Sequence, residues 1–312
     1  MSVTAYAHPN IALIKYWGKA ARPGNVPATP SLSITLDGLT TTTTVSEAAE
    51  DSFTLDGTPV TDAKVTQWLA ALRREHVIPP LAIESHNDFP TAAGLASSAS
   101  GFAALITAID GACGLELSRS VRSGLARQAS ASAARSMFGG FVTLQGPDWQ
   151  AEPLLEPADW PLEVVIAVSD TGGKAVSSSD GMRQSAEAPY FAAWVDSTGA
   201  DFHQALAATT ARDFPALTEL AEHSCLKMHG LMLATRPGLL YWNAATVACL
   251  HRIRALRAAG SAVFFTVDAG PQVKAVCLPG HGEAVAEELG QVAGVSRIIH
   301  TRLGRGAWLD GS

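Results

Sequence analysis

The stretch Asn87-Asp-Phe-Pro-Thr-Ala-Ala-Gly-Leu-Ala-Ser-Ser-Ala-Ser-Gly101 runs through a string of small residues straight into an apolar segment that continues to Cys113. From Ser97 to Cys113 there is no proline and the run is too long for a strand, so it predicts a buried helix entered through a Pro90-to-Gly94 loop. Such an entry suits an anion. Gly94 and the alanines let backbone N–H groups approach a phosphate, the helix start adds unpaired donors, and Ser97, Ser98 and Ser100 add hydroxyls. Tight packing of a helix entry accounts for the same small residues. The Gly-Lys-Ser/Thr ending of a P-loop is absent, which rules out that motif.

Upstream of this segment, Ser31-Leu-Ser-Ile-Thr-Leu-Asp37 alternates apolar and polar residues, meets Asp37-Gly38 and continues into the β-branched Thr40–Val45, the pattern of a hairpin. Downstream, a second helix is expected from Ser118 to about Ser130, and strands at Phe141–Gln145 and Val164–Ser169. The loop Asp170-Thr-Gly-Gly173 is a place for one domain to hand over to the next. Helical segments then dominate from about Ser178 to Ala259, broken near Pro189, Pro215 and Pro237-Gly238, before strands at Ala262–Val267 and Val273–Leu278. Several strands are joined by short turns rather than crossover helices. The chain therefore reads as α+β with largely antiparallel sheets, in two domains, 1–170 and 171–312.

Composition narrows the function. The 312 residues are 47% apolar and 16% charged, against the roughly 25% charged residues of an average soluble protein, so wholesale disorder is excluded. With 22 basic and 29 acidic residues the net charge is −7, and no dense Lys/Arg block marks a nucleic-acid partner. No run of 18 or more apolar residues is present to span a membrane, and no secretory signal is readable, so a cytoplasmic protein with a small-molecule partner is expected. Cys113, Cys225, Cys249 and Cys277 match neither a zinc spacing nor a disulfide framework and are read as reduced thiols. The spacing of His223 and His229 suits no helical metal motif, and neither a Gly-x-Ser-x-Gly elbow nor a dinucleotide fingerprint occurs.

Three further segments carry groups able to do chemistry. Ser130-Ala-Ser-Ala-Ala-Arg135-Ser-Met-Phe-Gly-Gly140 sets one arginine, whose planar fork suits carboxylate or phosphate, among small residues that would let a ligand reach it. An exposed arginine on a turn fits the same pattern. His8-Pro-Asn-Ile-Ala-Leu-Ile-Lys-Tyr-Trp-Gly-Lys19 places two lysines at the end of an apolar run; if that strand stays extended, both point to one face. Snorkelling lysines at a strand end are the alternative. In Phe264-Phe-Thr-Val-Asp-Ala-Gly-Pro271 a carboxylate follows an apolar strand directly, either as a turn former or, beside a lysine, as a rigidly held proton acceptor.

Taken in order along the chain, these segments, with Val176-Ser-Ser-Ser-Asp-Gly-Met182, resemble the mevalonate diphosphate decarboxylases of the GHMP kinase superfamily. Lys-Tyr-Trp-Gly-Lys and Pro-Thr-Ala-Ala-Gly-Leu-Ala-Ser-Ser are the most specific parts. The resemblance implies a two-domain α+β fold, an N-terminal half like domain 2 of a small-subunit ribosomal protein and a ferredoxin-like C-terminal half, with the active site in the cleft between. It implies ATP and Mg2+, a homodimer, and conversion of mevalonate 5-diphosphate to isopentenyl diphosphate by phosphorylation of the C3 hydroxyl followed by loss of phosphate and carbon dioxide. Carried onto matching positions, Asp268 is the catalytic carboxylate, Lys15 its cationic neighbour and Arg135 the clamp on the substrate carboxylate. Tyr16, Lys19, Ser130 and Ser132 face the phosphate end of the substrate. Ala93, Gly94, Leu95, Ala96, Ser97 and Ser98 cradle the ATP phosphates, and Ser177 or Ser178 approaches the reacting groups. Pro27-Ala-Thr-Pro-Ser31 lacks an asparagine common in the family, and Gln272 replaces the usual Asn. These departures keep a decarboxylase acting on mevalonate 5-phosphate in view; a second alternative, implied by the wider superfamily, is a small-molecule kinase that stops after phosphoryl transfer.

Overall fold

The computed structural model describes residues 2–89, 97–170, 172 and 175–311. The Ala93–Ala96 part of the expected ATP loop lies outside the described residues. Three sheets organise the rest. In a six-stranded sheet the spatial order is Trp308–Leu309, Ser2–Ala7, Thr41–Glu47, Leu81–Asn87, Ser52–Leu55 and Thr58–Pro59, antiparallel except between Ser52–Leu55 and Leu81–Asn87. The helix Ser97–Cys113 packs on it, burying Phe102, Leu105, Ile106 and Ile109. A second sheet orders Asn10–Ile14, Ser31–Thr35, Phe141–Leu144 and Ala151–Leu155. A third orders Val263–Val267, Val273–Cys277, Glu163–Val168 and Arg297–Arg302, all antiparallel.

Helix boundaries follow local chemistry. Ser118 accepts from Val121 N–H to start the helix Arg119–Ala129, which ends at Ser130. Asp213 caps Phe214–Leu233 by accepting from Ala216 N–H, and Pro215 sits in that first turn, where its missing N–H leaves no hydrogen bond unmade. Proline here opens a helix rather than breaking one.

Two expectations are corrected. Ser31–Thr35 and Thr41–Glu47 do not pair as a hairpin. The first is buried along its whole length and needs a neighbour on each edge, which Asn10–Ile14 and Phe141–Leu144 provide. The second alternates buried and half-buried residues and joins the other sheet. The Asp37-Gly38 turn forms, with Gly38 at φ 65°, but Asp37 N–H donates to Arg302 O at 2.8 Å, so the turn carries the chain from one sheet to the next. Likewise the N-terminal strand stops at Ile14, so strand alternation does not extend to Lys19, which makes only an isolated bridge with Pro27.

The halves share one interior. Ile11, Leu13 and Ile34 of the second sheet pack with Val164, Ile166, Phe264 and Val276 of the third and with Phe202 and Leu217 from the helices. The strand Asn10–Ile14 thus ends at the junction of both halves, and the residues after it open into a cleft.

Candidate active site

The cleft, about 910 Å3 of space open to solvent, is lined by Asn10, Lys15, Tyr16, Trp17, Lys19, Lys64, Ser98, Ser130, Ser132, Arg135, Ser178, Ser179, Met182, Met228 and Asp268. At its base Lys15 Nζ donates to Asp268 Oδ1 at 2.6 Å. Lys15 follows the strand Asn10–Ile14, and its backbone N–H donates to Ser224 Oγ, which pins it to the helix Phe214–Leu233. Asp268 follows Val263–Val267, a strand buried along its whole length, so the backbone feeding the carboxylate into the cleft is rigid. A third group, Lys274 of Val273–Cys277, reaches Asp268 Oδ2 at 3.3 Å. Burial pushes the Asp268 pKa up, but the charges of Lys15 and Lys274 outweigh it and hold the carboxyl well below the usual range.

Arg135 stands on the short helix Ala133–Ser136 and is buried, not exposed on a turn. Its Nε donates to Asn10 Oδ1 at 3.2 Å and its Nη1 to Ser31 Oγ at 2.8 Å. Asn10 is held in turn by donating to Ser132 O and Ser136 Oγ. The guanidinium lies 5.9 Å from the centre of the Tyr16 ring. Burial lowers the Arg135 pKa to about 10, with Tyr16 and Asp268 opposing the shift, and burial raises the Tyr16 phenol to about 12. Both stay protonated at neutral pH. The glycine pair after Arg135 serves packing rather than ligand access. A Cβ on Gly139 would lie 2.7 Å from Gly304 O, and Gly140, at φ 62°, has Leu155 O closer still.

The remaining hydroxyls and cations line the mouth. Ser98, Ser130 and Ser132 form a chain, with Oγ separations of 3.4 and 3.2 Å. Lys19 and Lys64 both have lowered pKa values, first from burial and then from a neighbouring cation, Arg183 for Lys19 and Lys19 for Lys64. Ser177 does not line the cleft; its hydroxyl caps the helix Ser178–Ser185, accepting from Asp180 N–H and donating to Asp180 Oδ2. Ser178 and Ser179 line the cleft instead. Ser97 faces a second cavity that meets the first at Ser98 and is lined by Thr43, Phe53, Leu55, Val65, Ile83 and Phe102 among others.

Sequence reasoning missed Lys274, Lys64, Asn10 and Ser31. A signal existed for Lys274, a lone cation inside the apolar run Val-Lys-Ala-Val-Cys. Nothing local marked the others, because their roles depend on Arg135 and on the mouth of the cleft, far away in sequence. Among the described residues no three His, Cys, Asp or Glu side chains are grouped to hold a metal. The hydroxyl of Ser98, in the expected ATP loop, continues into those of Ser130 and Ser132, expected at the diphosphate end of the substrate. That set fits Mg2+ held mostly by phosphates and water, with a hydroxyl such as that of Ser98 as protein ligand.

Two family models match. Residues 7–152 match the diphosphomevalonate decarboxylase-like N-terminal domain, and residues 164–304 the mevalonate 5-diphosphate decarboxylase C-terminal domain. The chain is similar to the diphosphomevalonate decarboxylase of Candida albicans, 34% identical over 98% of this chain and 97% of that one. It is 34% identical to the human protein of the same name, over 86% of this chain and 75% of that one. Among solved structures it is similar to MDDEF in complex with MVAPP, AMPPCP and magnesium, with TM-score 0.90, 38% identity and coverage of 99% and 98%. The mevalonate diphosphate decarboxylase of Staphylococcus aureus aligns with TM-score 0.91, 33% identity and coverage of 99% and 97%.

Proposed function

The chain belongs to the diphosphomevalonate decarboxylase family, and from that premise we propose how its own residues divide the work. The reaction is the ATP-dependent decarboxylation of mevalonate 5-diphosphate to isopentenyl diphosphate, with Mg2+. The C3 hydroxyl is a poor leaving group, so its oxygen first forms a bond to the γ-phosphorus of ATP while the β–γ bridging bond breaks and ADP departs. Phosphate then leaves C3 with the C–O electron pair, and the C1–C2 pair released with carbon dioxide becomes the C2–C3 double bond.

Asp268 orients the C3 hydroxyl and accepts its proton, and Lys15 offsets charge on the transferring phosphoryl group. Arg135, already gripped by Asn10 and Ser31, holds the substrate carboxylate so that the breaking C–C bond aligns with the departing phosphate. Tyr16, Lys19, Ser130 and Ser132 take the diphosphate end. Ser97, Ser98 and the Ala93–Ala96 loop take the ATP phosphates, while Ser178 approaches the reacting groups and Ser177 holds the helix that carries it. The apolar cavity meeting the cleft at Ser98 is assigned to the nucleobase. Trp17, Met182 and Met228 form an apolar wall that excludes water, which would otherwise trap an electron-deficient C3 as an alcohol. When bound, magnesium supplies positive charge against the phosphates.

Convergence of Lys15, Asp268 and Arg135 on one cleft carries this reading. Incubation with ATP, Mg2+ and mevalonate 5-diphosphate should release carbon dioxide in step with ADP; ADP without gas would mean a kinase. Running mevalonate 5-phosphate in parallel tests the diphosphate requirement. We further read the chain as two functional halves, 1–170 and 171–312, and as a cytoplasmic homodimer. No described helix is long and apolar enough to cross a membrane, and Leu226, Leu233 and Leu240 are exposed apolar residues suited to a contact between copies. Light scattering of the purified protein tests the dimer.

A further inference from the structure

Lys274 sits where sheet packing calls for an apolar residue. It lies mid-strand in Val273–Cys277, between Thr266 on one neighbouring strand and Ile166 on the other. Val276, two residues on and therefore on the same face, packs in the shared core with Ile166 and Phe264. The Lys274 side chain is 1% exposed. Burying an ammonium forfeits several kcal/mol of hydration, and apolar replacements of buried ion pairs are often as stable or more so, so stability alone does not account for a lysine here.

Charge balance does not account for it either. Lys15 at 2.6 Å already neutralises Asp268, and Lys274 leaves one cation in excess. The other described groups facing the cluster do not supply an anion. Arg135 is cationic with Tyr16 protonated beside it. From the helix Phe214–Leu233, burial holds the Cys225 thiol up at about 11 and the His229 imidazole down at about 3, so both are neutral. The excess charge acquires a use only when Lys15 is drawn toward the phosphoryl group in transfer.

We propose that Lys274 is a positioning residue for Asp268, holding its Oδ2 and serving as its counter-charge while Lys15 is engaged by the transferring phosphoryl group. The proposal rests on the reading of Asp268 as the carboxylate that meets the substrate hydroxyl. Without Lys274, each shift of Lys15 toward phosphate would strip the half-buried carboxylate of its partner and favour its protonated form.

The test is Lys274→Met, with Asp268→Asn alongside, assayed at saturating substrates from pH 7 to 4.5, with affinity for a non-hydrolysable ATP analogue measured directly. Lys274→Met is expected to lower kcat at least about 30-fold, about 2 kcal/mol, with KM values and nucleotide affinity within about threefold. The deficit should widen at least about twofold as the pH falls, because Asp268 has lost a cation. Lys274→Arg should recover most of kcat. A kcat within about threefold of wild type, or a deficit of the same size at every pH, overturns the proposal. If Lys274→Met keeps activity while Asp268→Asn loses it, this inference alone fails; if Asp268→Asn is active, the reading of Asp268 fails. Should Lys274→Met not fold, Lys274→Gln is judged by the same criteria.

Discussion

Replacing Asp268 by asparagine keeps the shape of the side chain and removes its charge, so its effects follow from the two lysines it leaves behind. Lys15 and Lys274 are each 1% exposed and would lose their only described carboxylate. Removing one partner of a buried ion pair destabilises by about 3–5 kcal/mol. With a melting entropy of about 2.1 cal/mol/K per residue over 312 residues, that lowers Tm by about 5–8 °C at neutral pH. The deficit should narrow as pH rises. Burial already lowers the Lys274 pKa and loss of Asp268 lowers it further, so the folded variant binds fewer protons than the unfolded chain and gains stability toward the ordinary lysine pKa. Turnover should fall at least about 1,000-fold, about 4 kcal/mol of barrier, since the amide cannot accept the hydroxyl proton. Calorimetry from pH 7 to 10 measures the Tm deficit and its pH dependence, and a coupled ADP assay measures turnover. A kcat within about tenfold of wild type would show that the carboxylate is not the acceptor, and an unchanged Tm that it is not the charge that holds the lysines.

Ser31→Ala removes the Arg135 Nη1 hydrogen bond at 2.8 Å, and kcat/KM for the mevalonate substrate should fall about tenfold with nucleotide affinity unchanged; equal efficiency would remove Ser31 from the support of Arg135. Gly181→Ala places a methyl 2.7 Å from Tyr241 Oη and 3.0 Å from Trp17 Cζ2, so either those side chains, Trp17 in the cleft wall among them, or the helix Ser178–Ser185 with Ser178 and Ser179 must shift. Steady-state kinetics should then show KM raised at least about threefold although alanine is the better helix former; an unchanged KM would place the group that shifts outside the binding geometry. His229, its pKa lowered to about 3 chiefly by burial, stabilises the fold above its unfolded pKa of 6.5, and that contribution is lost as pH falls from 6.5 toward 3. His229→Gln should flatten the stability-against-pH curve in that window by up to about 1.4 kcal/mol per pH unit, measured by denaturant unfolding; an unaltered slope would refute the neutral buried imidazole.

The amino-acid sequence by itself determined the elements with strong local signals. The helix Ser97–Cys113 begins and ends where its small, apolar run does, and the strands Val263–Val267 and Val273–Cys277 lie where β-branched and aromatic residues cluster. It also singled out Lys15, Arg135 and Asp268 as candidates, although read alone each had a plain structural alternative and its role came from the resemblance of its segment to one family. Which strands pair was decided only by tertiary structure. The Asp37-Gly38 turn has hairpin chemistry, yet its partner is Arg302, since the buried faces of Ser31–Thr35 and Thr41–Glu47 satisfy different sheets. The same holds for the residues behind the site. Asn10 and Ser31 matter through an arginine more than 100 positions away, and Lys274 through a carboxylate just past the end of the neighbouring strand. Propensity and periodicity act over a few residues of chain, whereas a buried charge is set by whatever the fold brings within a few ångströms of it.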